Sequence, residues 1–171
     1  MEMTEEMFAT ELTRKWNKPV AKRFGTVIVR ANIDEIWFAG DEWNIDLRHY
    51  LVLTFFDAKT GKTLAWTDYR GSISIELYGE AGQDQHLTRE ERIRKGTIYL
   101  SDTDFQWDNE IAYWVENQNN IDAEVTENDI SKAIAETGRD YGEIFDEMLH
   151  LFWEGIPDDE VREALLRLND L

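Results

Sequence analysis

Glu147-x-x-His150 sets a carboxylate and an imidazole about one turn apart on a helix face, the spacing used by di-metal carboxylate bundles. Such a bundle needs the pair twice. The other histidines, His49 and His86, fall in a predicted strand and a predicted loop, so no metal is expected. Asp102-x-Asp104-x-Gln106-x-Asp108 begins like a calcium loop and then fails, with Trp107 at the required glycine and Tyr113 at the bidentate glutamate. It reads as a turn with capping acids. The pairs Asp34/Glu35 and Asp41/Glu42 have the residue types of a glycosidase, but adjacent acids alone do not make one. The sequence has no Gly-x-Ser-x-Gly elbow, Walker-type loop, dinucleotide fingerprint or His-Glu-x-x-His pair. We therefore expect no catalytic residue and no cofactor.

Charge carries more information than any motif. Residues 1–103 hold 17 acidic and 14 basic side chains, whereas residues 104–171 hold 19 acidic and 4 basic ones. The second stretch is also patterned as amphipathic helices, which predicts an ordered acidic surface. On the clearest of these helices Glu143, Glu147, His150 and Glu154 share the face opposite the apolar stripe, and Glu136 and Asp140 extend the line upstream. Asp146 adds to the same helix, and Asp158, Asp159, Glu160 and Glu163 follow on the next. One acid per turn is a charge about every 5.4 Å, against about 1.7 Å of axis per charge in duplex DNA. A single helix is too sparse to imitate DNA, so several would have to act together. Asp122, Glu124, Glu127 and Asp129 supply a further group just upstream.

These residues need elements to position them. Thr4 can cap a first helix running to about Lys18, with Met7, Phe8, Leu12 and Trp16 on one face and Pro19 as its stop. From about Phe24 the pattern becomes that of strands: Thr26–Arg30, Ile33–Ala39 and Leu47–Phe56 are rich in β-branched and aromatic residues. Asp57–Lys62 predicts a hairpin loop into Thr63–Tyr69, with Gly61 at positive φ. Ile73, Ile75 and Leu77 alternate with polar residues as a further strand. Thr88 can cap a short helix Arg89–Lys95, whose arginines we expect to pair with acids of the helical half, and Thr97–Leu100 closes the sheet. Phe105, Ile111, Trp114, Val115 and Gln118 fit a helix, and Thr126 can cap another through Ile130, Ala133 and Ile134 that stops at Gly138. Tyr141, Ile144, Phe145, Met148, Leu149 and Phe152 recur at helical spacing, and Pro157 opens a last helix burying Val161, Ala164, Leu165 and Leu168. The expected fold is a single α+β domain over residues 1–171, with an N-terminal helix and an antiparallel β-meander from about 24 to 100. Its sheet-rich segment covers residues 1–103, and an acidic helical segment over residues 104–171 packs on the sheet.

Length and composition fit that domain, with 42 % apolar residues and seven tryptophans. Most tryptophans, Trp16 and Trp114 among them, should be core. Trp43, in the polar Gly40–Asp46 loop, and Trp153, at the edge of the apolar stripe, are the expected interface anchors. The absence of cysteine, an acidic N-terminus and no apolar run long enough for a bilayer point to a soluble, cytoplasmic protein. A net charge of −18 opposes direct binding to nucleic acid or to an anionic membrane and favours a basic protein partner. In size and charge the chain resembles small acidic inhibitors of phages and mobile elements, such as anti-restriction and anti-CRISPR proteins, and nuclease immunity proteins. The resemblance is compositional and carries over no residue. It implies a non-enzymatic protein that blocks a basic nucleic-acid-handling protein. The competing expectations are a small-ligand or carbohydrate-binding module using sheet aromatics such as Trp43 or Trp66, and an enzyme assembled from dispersed carboxylates.

Overall fold

The computed structural model describes residues 2–41, 43–77, 86–100 and 127–171. Helix α1 (Glu5–Trp16) leads into β1 (Val20–Phe24), β2 (Val27–Gly40), β3 (Asn44–Asp57) and β4 (Thr63–Glu76). Then follow α2 (Arg89–Lys95), β5 (Ile98–Leu100), α3 (Glu127–Glu136), α4 (Tyr141–Glu154) and α5 (Asp158–Asn169). The five strands form one antiparallel sheet in the order β1-β2-β3-β4-β5, a meander, and the helices pack on it as an α+β fold. The expected helix through Phe105–Gln118, the Thr126 cap, the calcium-like loop from Asp102, and Trp107 and Trp114 lie outside the described residues. No described helix is long and apolar enough to cross a membrane.

Local chemistry explains most of these elements. Thr4 Oγ1 accepts from the Met7 N–H, and Glu5 and Glu6 occupy the positive first turn of α1. At the β3–β4 hairpin Asp57 Oδ1 accepts from the backbone N–H groups of Lys59 and Thr60 at 2.8 and 2.9 Å, and Gly61 takes φ +75°. The Thr60 and Lys59 N–H groups hold the Asp57 carboxyl below its ordinary pKa. Thr88 and Glu91 form a reciprocal capping box at the start of α2, and the Thr88 hydroxyl draws the Glu91 carboxyl down in the same way.

The strands are longer and more continuous than sequence reading predicts. β1 starts four residues before the expected edge of the sheet, because Val-Ala-Lys-Arg-Phe shows no alternation; its cations suit a short edge strand. The runs expected as Thr26–Arg30 and Ile33–Ala39 are one strand, kept in the sheet by a β-bulge. Ile33 pairs with Leu51 and Ile36 with His49, so Asp34 and Glu35 oppose a single residue of β3. β4 runs unbroken through Arg70-Gly71, where two strands were expected. Gly71 lies directly opposite His49, and a Cβ there would stand 2.6 Å from His49 Nε2 and 2.8 Å from Leu149 Cδ1. Here glycine makes room for an imidazole and does not break the strand.

β1 pairs with β2 only as far as Ala31, which leaves the rest of that β2 edge open. Helix α1 lies along it. The helix and its C-cap answer the exposed backbone: Asn17 Oδ1 accepts from Ile33 N–H at 3.2 Å and Thr13 Oγ1 from Ile36 N–H at 3.1 Å.

The core lies between the helices and the sheet face that bears Val27, Val29, Leu47, Leu51, Leu53, Phe55 and Ile75. Phe145 meets Tyr69 edge to face at 5.5 Å, and Phe8 stacks on Phe38 at 5.8 Å. α5 is tied to α2 by one side chain. Arg162 donates through Nη1 to the carbonyls of Ile93, Arg94 and Gly96 at 2.6, 3.1 and 2.8 Å, satisfying the C-terminal end of α2. Replacing Arg162 with alanine is expected to cost about 2 kcal/mol in urea unfolding, since charge-assisted bonds are lost and orphaned carbonyls remain. Arg162→Lys should recover only a fraction of that, because an ammonium cannot reproduce the guanidinium's span.

Candidate functional site

The acidic helices are where charge and exposure coincide. Asp140 caps α4 by accepting from the Glu143 N–H at 3.0 Å. From there Glu143, Glu147, His150 and Glu154 follow at intervals of three or four residues, as the sequence predicts for one face. Glu136, Asp140, Glu143, Asp146, Glu154, Asp158, Asp159 and Glu163 are exposed. Glu147 and Glu160 are half-buried and differ from the rest.

Glu147 is the hub of an ion cluster. It pairs with Lys22 of β1 and with Arg139 of the α3–α4 turn, and both cations lie over the Phe24 ring, at 5.7 and 5.1 Å. The Lys22 hydrogen bond and the nearby charges hold its carboxyl below the ordinary range. The expected stripe is therefore neutralised at its middle. Glu160 turns inward, accepting from Trp16 Nε1 at 3.0 Å with Lys15 Nζ at 3.5 Å. These two acids hold helices in place and do not belong to a free surface. Asp146 lies 3.5 Å from His150, whose Nδ1 is 2.9 Å from the Asp146 backbone oxygen.

The two expected tryptophan anchors separate. Trp43 is 49 % exposed, on a loop fixed by Asp41 Oδ1, which accepts from the N–H groups of Trp43 and Asn44 at 2.8 and 3.0 Å. Trp153 is a correction. It is only 5 % exposed, its Nε1–H donates to His49 Nε2 at 3.1 Å, and Trp16 meets it edge-on at 5.8 Å. Packing of α4 onto β3 absorbs its ring, so it offers nothing to a partner.

His49 beneath it is fully buried and its pKa is lowered to about 4, chiefly by desolvation. Since Nε2 accepts from the indole, the proton of the neutral ring sits on Nδ1. That atom has no hydrogen-bond partner of good geometry; the Leu47 carbonyl opposes only a fraction of the downward shift. Sequence reading placed His49 in a strand without foreseeing this buried contact.

No protein-family model, curated protein or solved structure matches this chain. What it can do follows from its own geometry.

Among the described residues no group of three or more metal-ligating side chains is placed to hold an ion, and Glu147 of the Glu-x-x-His spacing is already committed to Lys22 and Arg139. Within the basic cluster of α2, one arginine has a local partner. Arg94 pairs with Glu90 of its own helix, and among the described residues Arg162 of α5 links the helical half to α2's carbonyls. A groove of about 980 Å³ lies between α1 and the open edge of β2, lined by Glu5, Glu6, Asp34, Glu35 and Arg14. The bulge turns Asp34 and Glu35 outward toward this groove, an acidic site in the half of the chain that sequence charge marks as nearly neutral. The adjacent acids were visible in the sequence; their meeting with α1 was not.

Proposed function

We propose that this chain is a non-enzymatic acidic binding protein that docks the helical acids onto a basic, nucleic-acid-handling protein and blocks it, as anti-restriction, anti-CRISPR and nuclease immunity proteins do. The observation that carries this reading is the position of Glu136 and Glu154. Each is the last residue of its helix, each is exposed, and neither helix has a basic residue in its last turn. Acids such as Asp140, Asp158 and Asp159 favour a helix by lying at its positive N-terminal end. Glu136 and Glu154 lie at the negative end, where a carboxylate is unfavourable by about 0.3–1 kcal/mol and neither forms an ion pair among the described residues. Helix stability does not account for them, whereas attraction of a cationic partner does.

With Glu147 neutralised, the α4 face is sparser than one charge per turn, so it complements a basic groove without copying the phosphate spacing of DNA. The acidic helical surface suits a basic protein; a phosphate polymer or an anionic membrane is opposed by the net charge of −18.

The test is a triple variant, Glu136→Lys, Glu143→Lys and Glu154→Lys, that leaves Glu147, Glu160 and the Asp140 cap untouched. The wild-type protein should capture a nucleic-acid enzyme from nuclease-treated lysate, release it as salt rises, and lose it to added DNA or RNA. The variant should keep its fold, with Glu136→Lys and Glu154→Lys individually neutral or slightly stabilising, yet lose at least tenfold in affinity for that enzyme. Equal affinity of variant and wild type would sink the reading.

A further inference from the structure

The sheet face turned away from the helices carries a different chemistry. Residues directed at the helices include His49, Tyr69 and Gly71, as their contacts with Trp153, Phe145 and Leu149 show. The alternate residues of β3 and β4 therefore point to the other side, among them Arg48, Tyr50 and Arg70. Trp37 joins them only because of the bulge. Seven residues separate it from Arg30 on the same strand, an odd interval that would put the two on opposite faces of a regular strand. The extra residue at Asp34/Glu35 re-aims it, so Trp37 pairs with Arg48 and its ring lies 5.1 Å from Tyr50, tilted by 43°.

Tyr50 stands directly opposite Arg70, and Arg48 is the next residue on that face of β3. Arg48 and Arg70 are thus diagonal neighbours, a relation that spaces residues by about 7–8 Å, close enough for both guanidiniums to reach one small anion. Both are exposed. Arg70 forms no ion pair among the described residues, while Arg48 is only loosely held by Asp46 at 3.5 Å, whose other oxygen accepts from Ser74. Two cationic forks beside a tryptophan–tyrosine pair match a ligand that joins a phosphate to a planar ring.

We propose that this face binds a nucleoside monophosphate, the phosphate held between Arg48 and Arg70 and the base lying against Trp37 and Tyr50. The net charge of −18 argues for a single nucleotide over a polymer, because each added phosphate would meet the repulsion of the whole molecule. This site is independent of the acidic helices, which lie across the sheet.

Tryptophan fluorescence and calorimetry would test it, using adenosine 5′-monophosphate and uridine 5′-monophosphate as probes on the full chain. Saturable binding of at least one is expected, at least tenfold tighter than adenosine or ribose 5-phosphate. Arg70→Ala should weaken it at least tenfold with thermal unfolding unchanged, and Trp37→Ala should remove the fluorescence change. The proposal is overturned if neither nucleotide binds at millimolar concentration, or if Arg70→Ala binds as the wild type does. Equal binding of ribose 5-phosphate would remove the role of the base, and tighter binding of a ten-nucleotide single strand would assign the face to nucleic acid instead.

Discussion

Trp153→Ala is expected to lower the stability of this protein by about 4 kcal/mol, the range for deleting a large aromatic side chain from a packed core. The ring is 5 % exposed and contacts Trp16, His49 and Phe152. Its loss opens a cavity between α1, α4 and β3 and leaves the buried His49 Nε2 without its donor. Trp153→Phe separates these effects, since most of the volume returns but the indole N–H does not; it should cost about 1–3 kcal/mol. Urea unfolding at neutral pH would report both values. A Trp153→Ala variant as stable as wild type, but defective in binding, would restore that side chain to the interface and contradict its burial.

Acid should destabilise the fold through His49. The folded chain prefers the neutral imidazole, with its pKa lowered from 6.5 to about 4, while the unfolded chain protonates near 6.5. Above 6.5 neither state takes up the proton and the group adds no pH dependence. As pH falls from 6.5 towards 4 the unfolded state alone is protonated, and stability drops by up to about 1.4 kcal/mol per pH unit, about 3 kcal/mol in all, before levelling off. The groups around the ring are the Trp153 indole, Gly71, Leu149 and the Leu47 carbonyl, none of which supplies a compensating negative charge. His49→Gln can keep an acceptor for the indole N–H but does not titrate. The difference between the wild-type and variant stability curves should therefore slope between pH 6.5 and 4 and be flat above. A flat difference throughout would mean that the ring takes up its proton as readily in the folded chain as in the unfolded one.

Elements whose signals are local were legible in the sequence. α4 and α5 follow directly from helical periodicity and from Pro157, and the Asp57–Lys62 hairpin from turn chemistry. Features that depend on a distant neighbour were not. Nothing near Gly71 indicates that an imidazole fills its missing side chain, and nothing near Asp34/Glu35 distinguishes a bulge from the end of a strand. Trp153 lies at the edge of its apolar stripe, so only the arrival of β3 decides that it is covered. The acids were equally divided: their number and exposure could be read from composition and period. That Glu147 and Glu160 are spoken for depends on Lys22, Lys15 and Trp16, more than a hundred residues away in sequence.

The hold of α1 on the β2 edge has a consequence for self-association. Thr13 and Asn17 occupy two N–H groups that would otherwise point outward from a strand of 14 residues. Beyond Ala31, where β1 no longer covers it, an uncovered edge would be a template on which a second copy can lay down its own strand. Weakening the helix, as Thr13→Val combined with Asn17→Leu would do, should make the protein multimerise edge to edge with rising concentration more than the wild type does, visible by light scattering before any loss of helix content. The N-terminal helix thus acts as a stopper against polymerisation as well as a wall of the core.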